Sequence, residues 1–377
     1  MIKRILYTLL IMFPVLASAQ INTDRVMAIG RNALYFEDYV LSIQYFNQVI
    51  NAKPYLSDPY FYRGLAKINL DDFQGAESDC SEAIERNPFV VSAYQVRGLA
   101  RIQQNNFAGA IEDYTKALEF DPENIGVWHN MALCRIRQED YKGAKNDLDK
   151  LIAISPRYTK AYLMRGEVDL KQKDTLAAEK DFGKAIEIDR YDADTWASRA
   201  ILRLQQQRYK DAEADFDHAI RLSTRNSGVY INRALARYHQ NNLRGAMSDY
   251  DIALDIDHNN FIGHYNRGLL RAQVGDDNRA IQDFNFVIEM EPDNMMAIFN
   301  RGLLLDQTGD YKGAIKDYST VINEYPNFLL GYQYRAQARR KIGDVKGADA
   351  DEFKVLKAQL DKQNGVDPNK QTADNTE

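Results

Sequence analysis

Alanine recurs every 34 residues along this chain. Ala76, Ala110, Ala144, Ala178, Ala212, Ala246, Ala280, Ala314 and Ala348 are evenly spaced with no insertion, and Ser42 lies one step earlier. A fixed period held over most of a chain restricts the fold to a stack of similar units, because each unit must bury its apolar face against its neighbours. Ten units fit: 23–56, 57–90, 91–124, 125–158, 159–192, 193–226, 227–260, 261–294, 295–328 and 329–362.

Within a unit the eighth position is always small: Gly30, Gly64, Gly98, Ala132, Gly166, Ala200, Ala234, Gly268, Gly302, Ala336. The fourth is usually aromatic, as in Tyr60, Tyr94, Trp128, Tyr162, Trp196, Tyr230 and Tyr332. So is the twenty-fourth: Phe46, Tyr114, Phe182, Phe216, Tyr250, Phe284, Tyr318. Apolar residues recur at helical spacing in two blocks per unit. Small residues at positions eight and twenty let the two helices approach closely. Between the blocks lie turn signals such as Gly275-Asp276, Gly309-Asp310 and Gly343-Asp344. There the Gly suits a left-handed helix end and the Asp caps the next helix. Proline at position 32 (Pro54, Pro88, Pro122, Pro156, Pro292, Pro326) ends the second helix. Arg190, Thr224 and His258 replace it in units five to seven, which predicts looser junctions there.

The pattern resembles the tetratricopeptide repeat (TPR) family in ten consecutive units. The resemblance implies an all-α fold, a right-handed α-solenoid of helix-turn-helix repeats. It also implies a non-catalytic scaffold that binds a protein or peptide.

Two positions depart from the family. Position seven, typically Leu, reads Ile29, Arg63, Arg97, Met131, Arg165, Arg199, Arg233, Arg267, Arg301, Arg335. Position 23, typically aromatic, reads Tyr45, Asp79, Asp113, Asp147, Asp181, Asp215, Asp249, Asp283, Asp317, Asp351. Every Arg has an Asp in its own unit, whereas pairing with the preceding unit would leave Arg63 facing Tyr45. The expectation is a structural ladder of eight ion pairs, each across the two helices of one unit; an anion-binding row of arginines is the alternative. Unit four has Met131 with Asp147, leaving Asp147 either exposed or paired with Arg135 or Arg165.

In the family, partners lie in the groove lined by the first helices, toward which positions two, five, six, nine, twelve and thirteen point. Position six carries Asn130, Asn232, Asn266 and Asn300. The last three are consecutive and resemble the asparagine ladder by which some TPR superhelices hold an extended peptide. An amide donates and accepts at once, so it suits a peptide backbone whatever the side chains. Around the row lie Ile231, Leu235, Ile262, Tyr265, Leu269, Met296, Phe299, Leu303 and Leu330, suited to a hydrophobic peptide or helix. The alternatives are that Asn is simply common there and that the leucines pack helix against helix. The family's carboxylate clamp needs Lys at position five, which no unit has, so a free C-terminal peptide is not the expected ligand.

The first residues, MIKRILYTLLIMFPVLASAQ, read as an export signal over 1–19: a basic start at Lys3 and Arg4, an apolar run from Ile5 to Leu16, and Ala17-Ser18-Ala19 before Gln20. The expected location is periplasmic or secreted, in a bacterial envelope, with no membrane insertion after cleavage. Net charge is −6, and −8 without the two basic residues of that segment, which argues against a nucleic-acid partner. The tail 363–377 is polar and reads as disordered. Glu352, where an aromatic would face a further unit, reads as part of a cap. Cys80 and Cys134 lie a whole unit apart, beyond disulfide reach, and read as two small buried hydrophobes. The five histidines make no metal-ligand spacing, and no nucleotide-binding or nucleophile motif occurs, so neither metal nor cofactor is expected. The readings, in order, are a non-catalytic binding scaffold, a self-assembling protein stacked head to tail, and an enzyme or its accessory subunit.

Overall fold

The computed structural model describes residues 22–223 and 225–363. The signal-like segment, Thr224 and the tail beyond Gln363 lie outside the described residues. These residues form twenty helices and, among them, no strand. The chain divides into two compact bodies, up to Asp189 and from Arg190, with five helix pairs in each.

Body one holds α1 (Thr23–Tyr35), α2 (Tyr39–Ala52), α3 (Asp58–Ile68), α4 (Phe73–Arg86), α5 (Val91–Gln103), α6 (Phe107–Phe120), α7 (Ile125–Arg137), α8 (Tyr141–Ile154), α9 (Thr159–Lys171) and α10 (Thr175–Ile188). Body two holds α11 (Ala193–Gln205), α12 (Tyr209–Leu222), α13 (Ser227–His239), α14 (Leu243–Ile256), α15 (Phe261–Gln273), α16 (Asp277–Met290), α17 (Met295–Thr308), α18 (Tyr311–Glu324), α19 (Leu329–Lys341) and α20 (Val345–Gln363). Within each body a first helix packs on the second helix of its own unit, and that second helix packs on the next first helix.

The turn inside each unit is left-handed at position 15 throughout. Only Gly275, Gly309 and Gly343 are glycines there; Glu37, Asp71, Asn105, Glu139, Lys173, Gln207 and Asn241 all take φ near +60°. The following residue caps the second helix. Asp38, Asp72, Asn106, Asp140, Asp174, Asn242, Asp310 and Asp344 each accept from the backbone N–H three residues on. Arg208 cannot, and Asp276, expected to cap α16, makes no side-chain cap bond either; both helices start without one.

The second helices of units five to seven end at Ile188, Leu222 and Ile256, the position at which the proline-bearing units end theirs. Proline is therefore not needed to stop them. The backbone at position 31 is already extended, as at Ser223 and Asp257, and closes the last turn by itself.

The core runs along the seam between the two helices of a unit. The repeated alanines are fully buried, and so are the aromatics Phe46, Phe182, Phe216 and Phe284. Close approach explains the small eighth position: a Cβ on Gly166 would stand 2.5 Å from Phe182 Cε1. Each such aromatic buries roughly 150–250 Å², and truncating one to Ala costs roughly 3–5 kcal/mol. Both cysteines are free and buried; burial pushes the Cys80 thiol up to about 12 and the Cys134 thiol to about 11, so both stay protonated.

Candidate functional site

The charged residues on the inner faces form one structural system. In eight units the position-seven Arg grips the position-23 Asp of its own unit. Arg267 donates from Nη2 to Asp283 Oδ1 at 2.8 Å and from Nε to Oδ2 at 3.1 Å. The same fork joins Arg63–Asp79, Arg165–Asp181, Arg199–Asp215, Arg233–Asp249, Arg301–Asp317 and Arg335–Asp351, and Arg97 reaches Asp113 with Nε and Nη2. The carboxylates are buried. The guanidiniums of Arg63, Arg97, Arg165, Arg199, Arg233 and Arg335 also lie over the aromatic three residues earlier, 5.1–5.7 Å from the ring centre.

Two further contacts escaped the sequence reading. First, most of these carboxylates hold a second cation, from position eleven. Arg101 reaches Asp113 at 3.0 Å, Arg203 reaches Asp215 at 2.7 Å, and Arg237, Arg271 and Arg339 reach Asp249, Asp283 and Asp351 at 2.8 Å. Lys67 does the same for Asp79. Recurrence of Lys or Arg at position eleven was the available signal. Second, the Arg at position seven does touch the preceding unit, through its spare Nη1. Arg267 donates to Asp251 at 2.8 Å and Arg63 to Asn47 at 2.5 Å. The objection that Arg63 would face Tyr45 considered position 23 only; the acceptor sits two residues on, at position 25. In seven of the eight units the guanidinium's donors are thus taken up by carboxylates and by neighbouring acceptors, so that row is not organised to receive an external anion.

Local variations follow the same electrostatics. His264 stands where other units have an aromatic, and its Nδ1 lies 2.9 Å from Asp283. Burial pushes the Asp283 carboxyl up, but His264, Arg267 and Arg271 together hold it below the usual carboxylate range. Between units four and five the charges are exchanged: Lys145 meets the buried Asp169 at 2.5 Å, where Glu77 meets Arg101 and Glu213 meets Arg237 elsewhere. In unit four Met131 and Asp147 are both buried. Arg135 holds one oxygen of Asp147, and the other has no partner among the described residues. Burial therefore pushes that carboxyl up to about 6, against the pull of Arg135.

The first helices of body two present a different surface. Ile262 and Leu269 on α15, Met296 on α17 and Leu330 on α19 are exposed, Met296 by 62%. Leu235 and Leu303 are half-buried. Ile231 and Phe299 correct the expected lining: they are only 7% and 8% exposed and belong to the core. Phe299 is enclosed by Tyr318, Phe328 and Tyr334. Position five thus points toward the next unit more than toward the groove. Tyr265, also at position five, packs edge-on to Phe284.

Asn130, Asn232, Asn266 and Asn300 are all half-buried. The Asn300 amide nitrogen is used internally, donating to the Tyr265 hydroxyl at 3.1 Å. In body one the Asn130 amide lies beside the buried Tyr114 hydroxyl. Among the described residues the side chains of Asn232 and Asn266 make no hydrogen bond. Beside this row, Met295, Met296, Phe299, Val321, Tyr325 and Phe328 line an open cleft of about 350 Å³. Among the described residues no cluster of His, Cys, Asp or Glu is arranged to hold a metal ion, and no helix is long and apolar enough to cross a membrane.

Stacked helix pairs with a charged internal seam and an apolar first-helix surface define a tandem-repeat scaffold. Tetratricopeptide-repeat family models match residues 198–260 and 265–327, and 125–158 and 159–192; a TPR model matches 98–134. Together these matches span more than half of the chain, which belongs to the tetratricopeptide repeat family. A tetratricopeptide repeat protein from Parabacteroides merdae is similar in structure, at 21% identity, covering 66% of this chain and 98% of that one with a TM-score of 0.52. The C-terminal part of a TPR repeat-containing protein from Cytophaga hutchinsonii gives 17% identity, 63% and 97% coverage, and a TM-score of 0.52. Both show the all-α solenoid fold. The comparison with curated proteins returns no match.

Proposed function

We propose that this chain is a non-catalytic scaffold of the bacterial envelope that binds an extended, apolar protein segment on the first helices of units eight to ten. The carrying observation is the row of exposed Ile262, Leu269, Met296 and Leu330. These side chains occupy groove positions of a repeat whose core is already filled by other residues. The adjacent cleft at Met295, Met296 and Phe328 offers room for one apolar anchor from the partner. Asn266 and Asn232 bring amides with unused hydrogen-bonding groups to the same face. Asn300 contributes less, because Tyr265 already takes its N–H.

Export rests on Lys3, Arg4, the apolar run and Ala17-Ser18-Ala19. Mass spectrometry of the protein from its own cell should find Gln20 at the N-terminus. Intact Met1 in cytosolic protein would contradict it.

The binding site is tested by a photo-crosslinking amino acid placed at Met296, with a second at Leu176, exposed on α10 of body one, as a control. The expected result in living cells is a discrete adduct from Met296 and none from Leu176. Adducts from Leu176 alone would place the partner elsewhere.

A further inference from the structure

Inside each body, successive units join by a repeated rule. The residue at position 25 accepts from the position-seven Arg of the next unit: Asp149 from Arg165 at 2.6 Å, Asp217 from Arg233 at 2.7 Å, Asp251 from Arg267 at 2.8 Å, Asn285 from Arg301 at 2.8 Å, Ser319 from Arg335 at 3.0 Å. Position 28 is Ile or Leu in all ten units. It packs on position three of the next unit: a Cβ on Gly263 or Gly331 would stand 3.0 Å from Leu254 or Ile322.

Unit ten has no follower among the described residues, yet α20 keeps this joining face. Leu356 stands at position 28 and is 53% exposed. At position 25, where seven earlier units offer an acceptor to a following Arg, stands Phe353, 66% exposed. Leu360 extends the stripe by one turn and is exposed too. A polar cap was the expectation from Glu352; Arg340 pairs with that residue at the edge, and the apolar stripe beside it stays uncovered. The slot that a next first helix would fill remains open between α19 and α20, an open cleft of about 280 Å³ lined by Gln333, Glu352, Val355, Leu356 and Gln359.

Unit one has the matching change. At position seven, where a following unit has Arg, α1 has Ile29, which is partly exposed. Positions 25 and seven have been exchanged together, acceptor for Phe on one side and Arg for Ile on the other, while position three, which is Gly, Ala, Val, Thr or Pro in the later units, is the exposed Arg25 in unit one. We propose that Phe353 of one copy packs on Ile29 of a second copy, with Leu356 against the aliphatic stem of its exposed Arg25, so that copies of this chain stack head to tail along the same positions as their own internal junctions. The contact is heterologous and need not close, so it yields chains of growing length rather than a fixed dimer.

The test is the mass of the purified chain by light scattering over a concentration series. Average mass should rise continuously with concentration. Ile29→Arg alone and Phe353→Asp alone should each weaken association at least about tenfold. Mixing the two variants should restore it, because the new guanidinium and carboxylate reproduce the Arg267–Asp251 joint. Should Phe353→Asp melt at low temperature, Leu356→Lys repeats the arm at a second exposed site. A monomer at every concentration would overturn the proposal. So would a dimer that survives Ile29→Arg, since that contact would be tail to tail, and so would a mixture that stays monomeric.

Discussion

Arg233 and Asp249 are joined twice, Nε to Oδ2 at 2.9 Å and Nη2 to Oδ1 at 2.6 Å, and the same carboxylate also holds Arg237 at 2.8 Å. The third partner changes what the pair is worth. Arg233→Leu removes the fork but leaves Asp249 with Arg237, so the loss should be about 2 kcal/mol rather than the roughly 3–5 kcal/mol of a fully stranded buried charge. Asp249→Tyr takes the shared buried carboxylate from two guanidiniums, leaving them only Asp217 and Glu213, and should cost more. Arg233→Leu with Asp249→Tyr, which copies the Ile29–Tyr45 arrangement of unit one, should regain part of the loss, since Arg237 keeps Glu213 at 2.7 Å. Denaturant unfolding of the four proteins gives the coupling energy, and zero coupling would contradict the geometry.

Unit four should gain stability toward acid pH. Asp147 is raised from 3.8 to about 6 by burial. Between those values the folded chain keeps a proton that the unfolded chain has lost, so this residue's contribution to stability falls as pH rises from about 4 to 6. Met131→Arg supplies the fork present in eight other units. It should raise stability near neutral pH by roughly 1–3 kcal/mol and flatten the pH slope. Melting curves of both proteins at pH 4 and pH 7 decide it; an equal gain at both pH values would mean that the charge of Asp147 is not the cause.

The left-handed turns carry a second stored cost. Lys173 sits at φ +65°, where Gly275, Gly309 and Gly343 serve in other units. An L-residue there costs roughly 1–2 kcal/mol, offset in part by the greater unfolded-state entropy of Gly. Lys173→Gly should therefore stabilise body one by about 0.5–1 kcal/mol. A loss on thermal unfolding would show that the Lys side chain has a role outweighing the strain.

The repeat length, the helix pairs and the Arg–Asp spacing were legible because each is a covariation at fixed offset in one sequence. The second cation at position eleven was legible in principle but was hidden by exceptions, Asp169 in unit five and Leu305 in unit nine. Phe299 and Ile231 were placed in the groove because helical periodicity gives an angle around one helix. Burial depends on how far the next unit leans over that angle. The Asn300–Tyr265 bond was out of reach for the same reason: it joins position six of one unit to position five of the previous one.

The central claim is that the first helices of units eight to ten bind an extended apolar segment. A displayed library of fifteen-residue peptides, screened against the chain and then titrated by calorimetry against Leu269→Asp with Met296→Asp, tests it most directly. Both sites are exposed, so melting temperatures should be unchanged. The scaffold account expects peptides with spaced apolar residues to be selected, and their affinity to fall at least about tenfold in the double variant, the loss of roughly 1.4 kcal/mol or more. A library that selects nothing, or peptides that bind both proteins equally, would contradict it.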